Sequence, residues 1–392
     1  MNVDYHGKNL LILKWWTKMI DFKQCHTPCY VVDENRLIDN LKILKSVKDQ
    51  TGCKILLATK AFSMYSTFKL IGKYLDGVTS SGLYEAKLGR EEMNKEVHVF
   101  SPAYRQDEIE EILEVSDHIV FNSAYQYHQY AKLAKSKGLQ CGLRINPEYS
   151  EIETELYDPC ASKSRLGIKL EDLKDIDFTD VDGLHFHAMC EQNADVLARI
   201  IKVVDEKFEP YLRKVKWLNF GGGHHITKKR YYIKTLVDTI LYMKNKYDIE
   251  IYLEPGEAIA LNAGYLVSSV LDIVHNEMDI AILDTSATCH MPDVLEMPYR
   301  PPLVNGFLPN ESEFTYRLAG PTCLAGDVIG DYSFKQPLNI GDLLIFEDMA
   351  IYTMVKNNTF NGMPLPMIYL YTKHGEMKLI KSFGYEDFKR RL

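Results

Sequence analysis

What the chain lacks narrows it first. Its eight cysteines, Cys25, Cys29, Cys53, Cys141, Cys160, Cys190, Cys289 and Cys323, include no C-x-x-C pair and no compact framework, so they read as reduced thiols of a cytoplasmic protein. Long apolar runs are missing too. Residues 10–20 come nearest, but Lys14 and Lys18 interrupt them and they fall far short of the roughly 20 residues of a membrane span. No Ala-x-Ala follows, which argues against a cleaved signal peptide. Met19 offers an alternative start that would make the preceding residues an upstream extension. Basic residues are scattered rather than clustered and the net charge is -8, so no footprint for nucleic acid or an anionic membrane is present. Low complexity and internal repeats are absent as well. What remains is a globular composition, 46% hydrophobic and 26% charged, in 392 residues, enough for a barrel and a companion domain.

From about residue 28 to 260 short apolar segments alternate with longer amphipathic ones, the rhythm of parallel βα units. Eight strands are expected, at 54–59, 77–80, 97–100, 118–122, 140–146, 183–188, 217–220 and 250–254, with helices between them such as 107–115 and 197–208. That count matches a (β/α)8 barrel of the TIM type, an α/β fold. After Pro255 the texture turns to β-like runs at 267–275, 279–283, 315–318, 343–346 and 367–371, a second, mostly β domain. The expected division is an extension at 1–26, a strand at 27–36 joining the β domain, the barrel at 37–260 and the β domain at 261–392.

Several residues carry chemistry at the predicted strand ends. Lys60 closes the first apolar run, where a barrel displays its reactive groups and where partial desolvation frees an amine to attack a carbonyl. Taken alone, it is equally a solvated strand cap. Gly221, Gly222 and Gly223 follow the strand ending at Phe220, where bare amides can surround an oxyanion, or simply make a tight turn. His185 and His187 flank Phe186 with a period of two, so both face one side; a metal pair, a ring against a flat cofactor and two core histidines are all open. His224 and His225 keep the metal reading alive. Glu254 ends the last barrel strand, and a carboxylate there must be paired or protonated. Glu257 lies three residues on. Cys323 sits in a glycine-rich loop with Asp327, and Tyr352 follows an apolar stretch; each has a purely structural alternative.

In this order, the Lys60 strand, Phe186-His187, Gly221 to Gly223, Glu254-Pro255-Gly256, Gly320-Pro321-Thr322-Cys323 and Tyr352 resemble the fold-type III, alanine racemase-like pyridoxal 5'-phosphate decarboxylases, relatives of which include ornithine and diaminopimelate decarboxylases. The longer strings His185 to Glu191, Asn219 to Thr227, Glu254 to Ala258 and Cys323 to Val328, with Ser164-Arg165-Leu166-Gly167 and His290-Met291-Pro292-Asp293, are similar to the branch acting on carboxynorspermidine and carboxyspermidine. The resemblance implies pyridoxal phosphate linked to Lys60, its phosphate on the glycine loop and near Tyr352, its pyridine nitrogen at Glu254 and its ring under His187. It implies no metal, and it implies a homodimer in which Cys323 reaches the reacting carbon from the partner subunit, with Asp327 facing a polyamine's distal amines. Cys323 is then the first candidate acid and Lys60 its competitor.

Two departures stand out. Glu257 occupies the place of a phosphate-binding arginine and Cys190 that of a serine, so the phosphate would lean on backbone amides and His224 or His225. Glu257, Glu191 and His225 would then suit a cationic substrate. The competing expectations are a diaminopimelate decarboxylase, an alanine racemase, a catalytically dead relative and a metal-dependent hydrolase built on His185 and His187.

Overall fold

A computed structural model describes residues 20–392, so the alternative start at Met19 lies outside the described residues. Strand β1 (Cys29–Asp33) comes first; β2 (Lys54–Ala58), β3 (Gly77–Ser80), β4 (Glu96–Phe100), β5 (His118–Phe121), β6 (Gln140–Arg144), β7 (Gly183–His185), β8 (Trp217–Asn219) and β9 (Glu250–Leu253) then form a closed, wholly parallel barrel. Burial on both faces explains their continuous apolar runs. β7 is shorter than the expected 183–188 and stops at His185, so His187 lies beyond the strand end.

The outer helices present apolar stripes to this barrel. In the helix Ala194–Leu212, Leu197, Ile200, Ile201, Val204, Phe208 and Leu212 are buried at three- and four-residue spacing. Asn193 caps its start by accepting the Ala194 N–H at 2.8 Å. Inside, Trp217 fills the barrel with Leu56, Val120 and Tyr252. Two glycines make room for it: a Cβ on Gly183 would lie 1.9 Å from the indole and one on Gly142 2.3 Å.

The remaining strands are β10 (Gly264–Asn276), β11 (Met278–Leu283), β12 (Phe314–Ala319), β13 (Val328–Phe334), β14 (Leu343–Glu347), β15 (Met367–Tyr371) and β16 (Met377–Lys381). They form a mixed sheet in the order β13-β12-β11-β10-β1-β15-β16, with β14 also paired to β10. β1 enters it antiparallel to β10 and parallel to β15, as the N-terminal strand was expected to do. β13 and β16 were not among the expected strands. Among the described residues no helix is long and apolar enough to cross a membrane.

Candidate active site

The carboxyl ends of the barrel strands surround a cavity of about 530 Å³ lined by Lys60, Arg144, His185, His187, Gly222 and Glu254, among others. The strand order thus gathers residues nearly two hundred positions apart. Lys60 is open to the cavity yet enclosed by the barrel mouth. That enclosure lowers its pKa; Glu254 opposes the shift and Arg144 adds to it.

Glu254 forms the polar floor. Burial alone would raise its carboxyl, but His185 and Asn219 outweigh burial and hold it below the ordinary carboxylate range. Asn219 Nδ2 donates to Glu254 Oε1 at 2.7 Å, and His185 Nε2 stands 3.3 Å from Oε2. Burial also keeps His185 itself neutral, so the ionised member of this pair is the carboxylate. Asn219 has a second task, because its Oδ1 accepts the Gly221 N–H at 2.8 Å. One amide therefore fixes both the carboxylate and the start of the glycine loop.

The loop packs too closely for side chains. Gly221 and Gly223 hold φ of 69° and 81°, and a Cβ would come within 2.3 Å of Phe186 O or 2.1 Å of Met189 O. Gly222 donates its N–H to His187 Nδ1 at 2.9 Å, which fixes the proton of that ring on Nε2. Burial, with Lys60 and Arg144 nearby, keeps His187 neutral. Tyr352 is tied to the Lys60 turn through its backbone: its N–H donates to Ala61 O at 2.8 Å, and its φ is 50°.

Around Cys190 an acidic cluster gathers. Cys190 lies within electrostatic reach of Lys60, Glu191 and Glu257, although burial is the main cause raising its thiol to about 11. Burial, then Glu191 and Asp348, push the Glu257 carboxyl up to about 8. His225 joins them, one ring nitrogen and one oxygen from each glutamate lying within 4.8 Å of one another.

The expected residues do not all meet. Lys60, His185, His187, Gly222 and Glu254 share the cavity, while Gly221, Gly223, Tyr352, Glu191, His225, Glu257, Cys323 and Asp327 are not among its lining residues. Cys323 is exposed in the β12–β13 loop, its N–H donating to Asn361 Oδ1 at 2.9 Å. The Asp327 carboxylate is buried and accepts from Thr322 Oγ1 at 2.7 Å and the Thr288 N–H at 3.2 Å, so within this chain it braces the loop. His185 and His187 belong to no group of three converging metal-ligand side chains among the described residues.

Two participants escaped the sequence reading. Arg144 ends β6, 5% exposed, with its guanidinium 4.5 Å from the Phe100 ring centre and Glu254 as electrostatic partner. Asn219 ends β8. A polar residue closing an apolar barrel strand was the available signal for both.

The arrangement fits pyridoxal phosphate. A desolvated amine suits a carbonyl, an ionised carboxylate suits a protonated pyridine nitrogen, and a loop that admits no Cβ suits close approach of a phosphate. Comparison with known proteins agrees. The family described as "Pyridoxal-dependent decarboxylase, C-terminal sheet domain" matches residues 29–350. A carboxynorspermidine/carboxyspermidine decarboxylase of Campylobacter jejuni is 45% identical over 381 residues, covering 94% of this chain and 99% of that one. A carboxyaminopropylagmatine decarboxylase of Synechocystis is 42% identical over 368 residues, covering 93% and 95%. The crystal structure of the Campylobacter jejuni carboxynorspermidine decarboxylase complexed with norspermidine superposes with a TM-score of 0.89 at 44% identity, covering 94% of this chain and all of that one. With its barrel, its strand-end lysine and carboxylate and relatives of this extent, the chain belongs to the pyridoxal-dependent decarboxylases.

Proposed function

We propose that this chain decarboxylates a carboxylated polyamine, carboxynorspermidine or carboxyspermidine, releasing CO2 and the polyamine. The observation that carries the substrate class is the acidic cluster beside Cys190: Glu191, Glu257, Asp293 and Asp348 lie in one electrostatic neighbourhood, with Lys228 as the only cation among the leading influences on Glu257. Such a cluster attracts a chain of ammonium groups and repels a distal carboxylate.

Lys60, His187, Glu254 and the loop Gly221 to Gly223 would hold the cofactor, with Tyr352 beside them. When bound, it supplies a carbonyl for amine exchange and a ring that accepts electrons from a breaking carbon–carboxylate bond. The chain's own residues do the rest. Glu254 stays ionised to retain a proton on its partner nitrogen, with Asn219 fixing the direction of its oxygens. His187, neutral and locked by Gly222, offers a flat face without a competing charge. Lys60, its pKa lowered by burial, gives up its proton more readily than a solvated lysine.

The proton that replaces CO2 comes from the Cys323 thiol of a partner subunit or from the Lys60 ammonium. The exposed Cys323 loop supports the first source, and with it a homodimer. Eight free cysteines suit the cytoplasm.

The test is CO2 release from carboxynorspermidine, carboxyspermidine and diaminopimelate, with Lys60→Ala as the inactive control. Turnover of the two carboxylated polyamines is expected, and faster turnover of diaminopimelate would sink the assignment. The Synechocystis relative favours a further arm, carboxyaminopropylagmatine, whose guanidinium end also suits an acidic cluster. One methylene between the two main substrates is worth only about 1 kcal/mol, so both should be turned over.

A further inference from the structure

The cluster beside Cys190 has unspent hydrogen-bonding capacity. The side chains of Glu191 and Glu257 enter no hydrogen bond or ion pair with the described residues, although one oxygen of each lies within 4.8 Å of the other and of a His225 ring nitrogen. His225 is 6% exposed; its Nδ1 faces Glu191 O at 3.4 Å, and its Nε2 has no partner. A proton on Nδ1 leaves Nε2 as a bare acceptor. With both carboxylates ionised, three acceptors would converge with no donor among them.

A cationic donor with several N–H groups suits these acceptors. A primary ammonium carries three N–H groups in tetrahedral directions, and bonds of about 2.8 Å place its acceptors about 4.6 Å apart. The three atoms, all within 4.8 Å of one another, lie inside the reach of one such group.

We propose that Glu191, Glu257 and His225 form the receptor for a terminal primary ammonium of the substrate, and that Glu257 carries a proton in the free enzyme which it releases to solvent when the ammonium arrives. This rests on the reading of the substrate as a polyamine. Two carboxylates this close without a cation between them cannot both ionise cheaply, so a proton holds the place that the ligand later takes. The surroundings agree. Glu257 is faced by Glu191, Asp348 and Asp293 as acids and by Lys228 as a cation. Its further neighbours Tyr352 and Tyr299 are both kept protonated chiefly by burial, as is Cys190. Burial also pushes Asp348 up to about 6.

The experiment is titration calorimetry of norspermidine into the holoenzyme at about pH 7, in two buffers of different protonation enthalpy, which counts protons exchanged on binding. Wild type should release close to one proton more than Glu257→Gln, and the variant should bind about 10- to 100-fold more weakly, the loss expected of a charge-assisted hydrogen bond. At about pH 9, where Glu257 is already ionised, that difference should vanish. Glu191→Gln serves if Glu257→Gln does not fold, since it removes the neighbour that keeps the proton in place; it too should lose the release.

Equal proton release and equal affinity in the variants overturn the receptor while leaving the polyamine reading intact. Failure of norspermidine to bind wild type overturns that reading itself. Stoichiometric Zn2+ retention by wild type, blocking norspermidine and lost in Glu257→Gln, would replace the ammonium with a metal and overturn the proposal.

Discussion

Asn219 concentrates the logic of the site in one side chain. Its amide donates to Glu254 and its carbonyl accepts from Gly221, so carboxylate and glycine loop share one anchor. Asn219→Ala should leave Glu254 free to turn and the loop free to open. We expect kcat to fall about 10- to 100-fold, from about 1.5–3 kcal/mol of charge-assisted hydrogen bonding, together with weaker cofactor retention. Steady-state kinetics and cofactor absorbance after gel filtration check both; a change in KM alone would contradict the anchoring role.

Glu257 gives a second residue-scale expectation, in stability. Burial, then Glu191, raises its carboxyl to about 8, above its unfolded value. Folding therefore takes up a proton between the two, and the stability gained from that proton falls as pH rises from about 5 to about 8. Glu257→Gln removes this contribution. Urea midpoints across that range should decline less steeply in the variant, and parallel curves would show that Glu257 titrates alike in both states.

At the scale of elements, the barrel depends on pairs of residues that fit only each other. Gly183 sits on β7 against Trp217 of β8, and an added Cβ would lie 1.9 Å from the indole. The indole is fully buried, so it has nowhere to retreat. Gly183→Ala should destabilise by about 1–3 kcal/mol or more through overpacking, read from the urea midpoint with an unchanged slope. The barrel was legible because each strand is an uninterrupted apolar run with punctuation around it. β13 was not, since Gly330 and Asp331 break its run and its place is set by β12, where Asp331 meets Arg317 Nε at 2.8 Å across the ladder. β16, with two lysines on an exposed edge, had no apolar face to announce it. The site followed the same division. Lys60, Glu254 and the glycine loop could be read because each follows a strand, whereas Arg144 acts through Phe100 and Glu254, partners that only closure of the barrel supplies.

For the whole molecule, the proposed homodimer turns on which Lys60 the Cys323 loop reaches. The β12–β13 loop is firmly braced, Asp327 tying Thr322 and Thr288 together, yet Cys323 and Leu324 at its tip are exposed and outside the Lys60 cavity. A rigid loop with an exposed apolar tip fits insertion into a neighbouring copy, and a two-fold axis would make that exchange reciprocal. The consequence is arithmetical. Suppose Lys60→Ala and Cys323→Ala dimers are mixed and allowed to exchange subunits. Half of the dimers become mixed, and each mixed dimer owns one site that combines an intact Lys60 from one subunit with an intact Cys323 from the other. Activity should then recover to about a quarter of wild type. If Cys323 instead serves its own chain, every site in the mixture lacks one of the two groups and no recovery occurs. The same mixing with Glu257→Gln in place of Cys323→Ala should restore nothing beyond the activity that variant has alone, because Glu257 and Lys60 of one chain both lie within electrostatic reach of the same Cys190.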